Sequence, residues 1–370
     1  MERIACPDCD LLHGAISLRE GEEARCARCG TTLPLSFPRN DAQSTLAILA
    51  TAGVAFTIAV SMPLMRLSGM GRDAEASLPT SAAAMWLTGS PVSAVLVALF
   101  TMVLPAAYLV LALAACIGAL RSPVPRWASV TARWARGVMP WSMPEVMLLA
   151  TLVAYVKVSQ LAETAPGPGM YAMGVLAIML ALGRNATQMP GLRRSTPAPA
   201  RPPSSVLTRT RALLVAAAIC YLPAMVLPVL VTNTLEGAEA QTIRDGVQAL
   251  QRSGSWALAL IVVVASVVIP IAKVGVLAYL CAVVEHGIPA SARQGTRLFR
   301  VLETVGRWSM LDVFVDAFVV ALVQVPPFMW ERPGPGVPFF AATAVFTMLA
   351  AMSFDPRLLW SARERGGHYG

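Results

Sequence analysis

The sequence has few charged residues: 14% of its 370 residues are Asp, Glu, Lys or Arg, against about 25% in an average soluble domain. Apolar residues make up 56% of the chain. Because so few charges cannot cover the surface of a soluble protein, the composition predicts a polytopic membrane protein. The formal net charge is +8, but the basic residues lie scattered between apolar blocks, which argues against a nucleic-acid partner.

Several kinds of chemistry lack the residues that they need. The three histidines, His13, His286 and His368, have no spacing that would hold a haem between two imidazoles on one helix. A phosphate-binding loop of the G-x-x-x-x-G-K-[ST] type is absent. No paired acidic motif, histidine cluster or nucleophile with a neighbouring base stands at catalytic spacing. We therefore expect a protein that is not an enzyme.

Apolar windows of about 20 residues, enough to cross roughly 30 Å of hydrocarbon, recur after residue 40. They predict eight spans, near residues 46–65, 92–118, 142–160, 170–189, 212–231, 256–283, 309–325 and 337–354. Basic residues set the orientation, because cytoplasmic loops retain Lys and Arg. An N-terminus in the cytoplasm places 22 of the 29 basic residues on that side. Both termini are therefore expected in the cytoplasm.

The chain contains an internal repeat. At an offset of 165 residues, the matching pairs are Pro63 and Pro228, Gly89-Ser90 and Gly254-Ser255, Pro105 and Pro270, and Cys116 and Cys281. At an offset of 167, Trp141-Ser142-Met143-Pro144-Glu145-Val146 aligns with Trp308-Ser309-Met310-Leu311-Asp312-Val313. Since each copy holds an even number of spans, both copies have the same orientation and the repeat is parallel.

These patterns predict an all-α polytopic membrane protein with two tandem four-helix modules. The expected divisions are a cytosolic zinc ribbon at 1–40, a first four-span module at 41–189, a cytoplasmic linker at 190–210, a second four-span module at 211–357 and a cytoplasmic tail at 358–370. The linker is rich in Pro and Arg, a composition typical of connecting segments.

Four of the seven cysteines lie in the polar N-terminal head, which lacks the features of a secretory signal. Cys6, Cys9, Cys26 and Cys29 form two C-x-x-C pairs, a spacing typical of one tetrahedral zinc ion. A segment of about 35 residues cannot bury enough core to fold alone, so the metal would supply the folding free energy. Disulfides are disfavoured in the cytosol, and a redox site would need a βαβ unit. One structural zinc ion is the prediction.

Charged residues inside spans are costly and indicate a functional site. Lys273 falls in the sixth span, and Ser309, Asp312 and Asp316 share one face at the start of the seventh. Since Asp312 is expected at a depth similar to that of Lys273, an ion pair between them is geometrically allowed. Two carboxylates beside one ammonium suit a proton carrier. The alternatives are a lysine that extends to the headgroups and a static salt bridge.

Two uncharged residues can extend this network. Ser266 lies seven residues before Lys273 on the same face, and Thr347 lies in the middle of the eighth span. In the alternative interpretation, each hydroxyl bonds only the backbone of its own helix.

The first module differs from the second in its charged residues. Glu145 is the counterpart of Asp312, but Tyr108 stands where the second module has Lys273. We therefore expect the second module to carry the working site and the first to serve mainly as a scaffold.

A resemblance to a known family rests on one run of residues, Gly306-Arg307-Trp308-Ser309-Met310-Leu311-Asp312-Val313-Phe314-Val315. Thr242-Ile243, Gly246-Val247, Leu250, Gly254, Ser266, Pro270 and Lys273 add to it. The chain resembles the paraquat-inducible protein A family over essentially its whole length.

The resemblance implies a bacterial inner-membrane protein with modules similar to tetraspanin-like four-helix bundles. It also implies work with periplasmic MCE-domain proteins, which form hexameric rings or tunnels, and movement of phospholipids between the two membranes. The chain departs from the family pattern because 184–211 has no cysteine for a second ribbon. It also has Pro223-Ala224-Met225 where relatives often have Pro-Ala-Asn, and Asp316 where an apolar residue is expected.

The leading hypothesis is a subunit that loads phospholipid into an MCE tunnel, or unloads it, with protonation of the Lys273 and Asp312 cluster coupling transfer to the proton gradient. The alternative is a non-transporting scaffold that anchors the MCE protein. Under either hypothesis, the loops 66–91 and 232–255 are the expected docking surfaces for that partner.

Overall fold

The structure, a computed structural model, describes most of the chain. The described residues are 3–6, 8–14, 24–33, 40–69, 72–121, 123–159, 163–183, 202–234, 237–252, 254, 256–286, 291–306, 313–315, 317, 320, 324–325 and 329–361. Three residues of the predicted transport network, Ser309, Asp312 and Asp316, lie outside them.

The N-terminal head consists of two small antiparallel hairpins. The first pairs β1 (Arg3–Ala5) with β2 (Leu12–Gly14), and the second pairs β3 (Ala24–Arg25) with β4 (Thr32–Leu33). Each hairpin turn carries one C-x-x-C pair. Each also contains one residue with a left-handed backbone, Asp10 with φ of 56° and Gly30 with φ of 75°. This conformation reverses the chain tightly after each cysteine pair.

Helices make up most of the remaining chain. In the first half, residues 40–183, they are α1 (Asn40–Ser61), α2 (Leu78–Leu87), α3 (Pro91–Ala98), α4 (Leu104–Ala119), α5 (Arg126–Val138), α6 (Pro144–Ser159) and α7 (Pro168–Leu182). In the second half, residues 202–361, they are α8 (Pro203–Val226), α9 (Ile243–Arg252), α10 (Trp256–Val263), α11 (Ile269–His286), α12 (Ala292–Val305) and α13 (Gly336–Ser353).

Among the described residues, six helical stretches are long and apolar enough to cross a membrane. They are Gln43–Ser61, Pro91–Ala119, Arg126–Val156, Pro203–Val226, Ala259–His286 and Gly336–Ser353. Helix α7 is apolar but shorter, and most of the predicted seventh span, near 309–325, lies outside the described residues. Large apolar side chains such as Ile219, Leu222 and Val226 are exposed along α8, as expected of a surface that contacts lipid tails. The chain is a multi-pass membrane protein.

Helix α8 begins earlier than the sequence pattern predicts. The fifth span was expected from residue 212, but α8 starts at Pro203, inside the range predicted as linker. Proline is tolerated in the first turn of a helix because the N–H there has no intrahelical partner. Val206 and Leu207, in the following turn, are buried in the same apolar cluster as the head. Tertiary packing therefore extends this helix beyond its apolar window.

Both halves contain a π-helical turn at the same place. The turns are Leu99–Val103 and Val264–Val268, and each lies inside one continuous helical stretch. Each is followed by a proline, Pro105 or Pro270, which has no N–H to donate to the carbonyl four residues earlier. The wider turn accommodates this missing hydrogen bond.

The all-α prediction omitted two antiparallel sheets. In the first half, β5 (Met65–Gly69) pairs with both β6 (Arg72–Ala76) and β7 (Glu163–Pro166). In the second half, β8 (Leu230–Thr234) pairs with β9 (Gly237–Gln241) and β11 (Met329–Pro333), and β11 also pairs with β10 (Gln324–Val325). The predicted loops 66–91 and 232–255 thus each contain a hairpin and a short helix, α2 or α9. The two sheets define the sheet end of the molecule.

Glycines fix the junction between sheet and helix in each half. A Cβ placed on Gly167 would overlap the carbonyl oxygen of Pro63, and one placed on Gly334 would overlap that of Pro228. The N–H of Gly167 donates to Leu64 O at 2.9 Å, and that of Gly334 donates to Val229 O at 2.8 Å. Only glycine allows the two backbones to come this close.

Two apolar clusters hold the structure together. The larger one runs through both halves and includes Phe100 and Tyr108 from the first and Phe314 and Phe340 from the second. The smaller one joins the head to the end of the second half that lies away from the sheets. We call that end of the molecule, where the head packs, the head end.

Candidate metal centre and buried polar site

The four head cysteines lie together at the contact between the two hairpins. Their sulfur atoms all lie within 4.8 Å of one another, and all four residues are buried. The Sγ atoms of Cys6 and Cys29 are 3.5 Å apart, as are those of Cys9 and Cys26, so these thiols form no disulfide. A tetrahedral zinc ion with bonds of about 2.3 Å separates its sulfurs by about 3.8 Å. The cluster can therefore hold one metal ion.

The surroundings of the head cysteines shift the pKa values of their thiols in different directions. Burial raises the pKa of the Cys6 thiol to about 11 and also raises the pKa of Cys9. Burial opposes ionisation of Cys26 too, but the backbone N–H groups of Cys29 and Arg28 and the His13 ring lower its pKa to about 6. Four thiolates held this closely require a cation to offset their repulsion, which fits a metal-binding donor set.

Lys273 lies deep inside the second half. Its side chain on α11 is only 2% exposed, and its Nζ donates a hydrogen bond to Thr347 Oγ1 on α13 at 3.3 Å. Thr347 is fully buried and donates in turn to the carbonyl of Ala344 at 3.0 Å. Gly306 makes room for the lysine, because a Cβ there would lie 2.5 Å from Lys273 Cε. The side chain is therefore enclosed by the protein.

The other predicted network residues have different outcomes. Ser266 is buried in the π turn, and its hydroxyl donates to Val262 O of the same helix at 2.6 Å. The place of Ser266 in the polar network stays a prediction. The predicted ion pair between Lys273 and Asp312 stays a prediction because Asp312 lies outside the described residues.

Lys273 lines a cavity of about 210 Å³. Leu302, Glu303 and Gly306 line it from α12 and its C-terminal cap, and Met348 lines it from α13. Met139, from the first half, forms another part of the wall. The cavity thus lies where the two halves meet.

Glu145 lies in a separate and much smaller cavity, of about 20 Å³, in the first half. Tyr108, Ser142 and Leu180 are among its other lining residues. Tyr108 is the repeat counterpart of Lys273, and Leu180 is the counterpart of Thr347. Sequence reasoning did not note that the first half has Leu180 where the second has Thr347, although the offset of 167 pairs these two positions.

An apolar pocket of about 80 Å³ opens at the sheet end, between the halves. Val153 contributes from the first half, while Leu230, Ile243 and Phe340 contribute from the second. Thr242, Gly246 and Leu250 also line it. Sequence reasoning placed these three residues in a family signature and in the predicted docking loop 232–255, and it did not identify a pocket.

The whole chain is similar to several known transport proteins. It is 29% identical to the intermembrane transport protein PqiA of Escherichia coli strain K12, covering 99% of this chain and 97% of that protein. It is 26% identical to the lipophilic envelope-spanning tunnel protein A of the same strain, covering 98% of this chain and 92% of that protein. A probable intermembrane transport protein of Haemophilus influenzae is 35% identical over 43% of this chain and 38% of its own length.

No solved structure matches the chain. The family model described as paraquat-inducible protein A matches twice, over residues 42–189 and 207–364, and together these matches cover most of the sequence. The chain belongs to the paraquat-inducible protein A family.

Proposed function

We propose that this chain is the inner-membrane subunit of an MCE-type lipid transport system, which loads phospholipid into a periplasmic MCE tunnel or unloads it. The observation that carries the proposal is the apolar pocket at the sheet end, which both halves line. Its apolar walls suit the end of an acyl chain, and the relatives are named for intermembrane transport. The halves would be two four-span modules, with the sheet end in the periplasm and both termini in the cytoplasm.

The head would be a zinc ribbon in which Cys6, Cys9, Cys26 and Cys29 bind one structural zinc ion. The spacing of the four sulfur atoms supports this assignment. Zinc would supply a fourfold crosslink between the two hairpins, which bury too little apolar surface to hold each other in place.

Transfer would be coupled to protons through Lys273. A buried ammonium is costly in a membrane, and the hydrogen bond to Thr347 offsets part of that cost. A carboxylate close to the lysine would offer the second site for a transferred proton. Asp312 is the proposed carboxylate, and the cavity beside Lys273 would give the proton access.

A non-transporting scaffold is the second candidate function. Trp86 and Leu87 are exposed at the end of α2, next to the sheet of the first half. An exposed aromatic residue beside an exposed leucine suits attachment of a partner protein, and this would not require transport. An MCE protein, as a hexamer, would be that partner.

Lipid transfer between vesicles separates these possibilities. Proteoliposomes that hold this chain and its MCE partner would donate a fluorescent phospholipid to acceptor vesicles, with and without an imposed pH gradient. We expect the gradient to speed transfer by the parent protein and by the control Tyr108→Phe, but not by Lys273→Met. An equal response of all three would refute coupling through Lys273. Binding of the MCE protein without any transfer would favour the scaffold.

A further inference from the structure

The head contacts the second half through charged side chains. Arg300, on α12, lies with its Nε 2.8 Å from the carboxylate of Asp8 and donates from Nη2 to the carbonyl of Cys29 at 3.1 Å. Arg357, just beyond α13, lies 3.0 Å from the carboxylate of Asp10. Both arginines are partly buried in these contacts, so the ion pairs are better shielded from solvent than fully exposed surface pairs.

A third contact joins the head to both of these segments. The Arg28 guanidinium of the head lies 4.6 Å from the ring centroid of Trp360. The indole Nε1 of Trp360 donates to Thr296 Oγ1 on α12 at 3.1 Å. Trp360 is 5% exposed, so the head, α12 and the segment after α13 form one packed unit.

Arg300 also reaches the side-chain network around the cysteine sulfurs. Its Nη2 donates to the Thr31 hydroxyl, which lies 2.8 Å from Cys29 Sγ and donates to Asp8 at 2.7 Å. A zinc ion bound by four thiolates carries a net charge of about −2. The head's own charge is slightly acidic, so the arginines of the second half supply the balancing positive charge.

The same helix forms part of the Lys273 cavity. Leu302 and Glu303, near the C-terminus of α12, line that cavity, and Gly306 ends the helix directly against the lysine side chain. Arg300 lies less than two turns before Gly306. A change in the position of α12 would therefore reach the cavity wall without passing through any other element.

We propose that the metal-loaded head clamps α12 and the segment after α13, and that loss of the metal releases both and frees the part of the Lys273 cavity wall that α12 forms. Arg300 and Arg357 are the positioning residues of this clamp. They contact the head and lie close to the negatively charged metal site, and they do not contact the transported molecule. The proposal rests on the metal site described above but not on lipid transport.

Hydrogen exchange of the full chain in detergent or nanodiscs tests the clamp, with bound metal counted by native mass spectrometry. Removing the metal with a chelator should raise exchange in 292–306 and 354–361 and leave α7 unchanged. A protein that binds metal but shows no exchange change in these two segments would overturn the clamp. A protein that binds no metal at all would instead overturn the metal site itself.

Arg300→Gln provides the residue-level test, with Arg133→Gln as its matched control. Arg133 occupies the equivalent position on α5, where its side chain is exposed. We expect Arg300→Gln to lose zinc to a chelator about tenfold faster than the parent, as outer-shell substitutions at metal sites do. Arg133→Gln should match the parent. Equal zinc loss by all three proteins would refute the role of Arg300.

Asp8→Asn removes the same ion pair from the head and guards against misfolding of the Arg300 variant. It should also raise exchange in 292–306 while one metal ion is still bound. If Asp8→Asn retains metal and leaves exchange in α12 at the parent level, the head does not hold that helix and the clamp is refuted.

Discussion

The two halves of the membrane region share a backbone framework and differ in the side chains that it holds. Each has a π turn followed by a proline, and each presses one glycine against a proline carbonyl. At equivalent buried positions, however, the first half has Tyr108 and Leu180 where the second has Lys273 and Thr347. Packing requirements therefore recur in both halves, whereas among the described side chains the buried cation is found in one.

A similar contrast holds for the two basic helices, α5 and α12. Arg133 on α5 and Arg300 on α12 occupy equivalent positions. Of these two arginines, only Arg300 contacts the described residues of the head. On α5, the neighbouring Trp134 is 65% exposed. Exposed tryptophan and arginine on one amphipathic helix suit the lipid headgroup region. A basic helix thus packs against the head in the second half, whereas its counterpart in the first half has an exposed face.

Because the two halves share this framework, equivalent substitutions should lower the stability of the protein equally. Gly167→Ala and Gly334→Ala each place a methyl group on a backbone carbonyl that cannot rotate away, so each should lower stability by about 1–3 kcal/mol or more. Thermal unfolding in detergent measures the effect. Gly174→Ala and Gly275→Ala are the controls, because a Cβ at either position has open space. A loss in only one half would show that the junctions are not equivalent.

Substitutions at Lys273 and at its repeat counterpart Tyr108 should affect lipid transfer unequally. Lys273→Met should reduce gradient-driven lipid transfer at least about tenfold, because it removes the cation of the proposed proton relay. Tyr108→Phe removes only a hydroxyl and should keep transfer near the parent rate. Transfer and unfolding measured on the same preparations separate a functional loss from a folding defect. A large transfer loss in Tyr108→Phe would end the distinction between the halves.

Features set by local spacing could be predicted from the sequence, and features set by distant contacts could not. The C-x-x-C pairs and the repeat offsets are patterns within short stretches, and the structure brings the four sulfurs together. Strand β9, Gly237–Gln241, has no β-branched or aromatic residue, so its pairing with β8 has no signal in propensity. The contact of Arg300 with Asp8 joins residues 292 positions apart and depends on how the head packs.

Thr347 offers a smaller effect within the polar site. Thr347→Val removes the hydroxyl that accepts from Lys273, which costs about 0.5–1.5 kcal/mol for a net hydrogen bond. We expect a fall of a few-fold in gradient-driven transfer, and Thr347→Ser should restore the parent rate. Leu180→Val changes a similar volume in the first half and should have no effect on transfer. If Thr347→Ser, which keeps the hydroxyl, loses as much transfer as Thr347→Val, the hydrogen bond to Lys273 does not explain the loss.

The smallest expected effect concerns the starts of α2 and α9. Ser77 and Thr80 form a capping box at α2, and their repeat counterparts Thr242 and Asp245 do the same at α9. The Asp245 carboxylate accepts from the Thr242 hydroxyl at 2.7 Å and from its N–H at 3.0 Å, and these bonds lower the pKa of Asp245.

Because the folded pKa is lower than the unfolded one, this cap contributes stability above the unfolded pKa and loses it as pH falls through the folded pKa. The cap at α2 contains no titratable group, so its strength should not change over that range. Hydrogen exchange in the first turns of both helices, corrected for intrinsic rates, measures the difference as pH is lowered from neutrality. Asp245→Asn should remove the pH dependence at α9. Parallel loosening of α2 and α9 in the parent would mean that acid weakens the whole sheet end and that Asp245 has no special part in it.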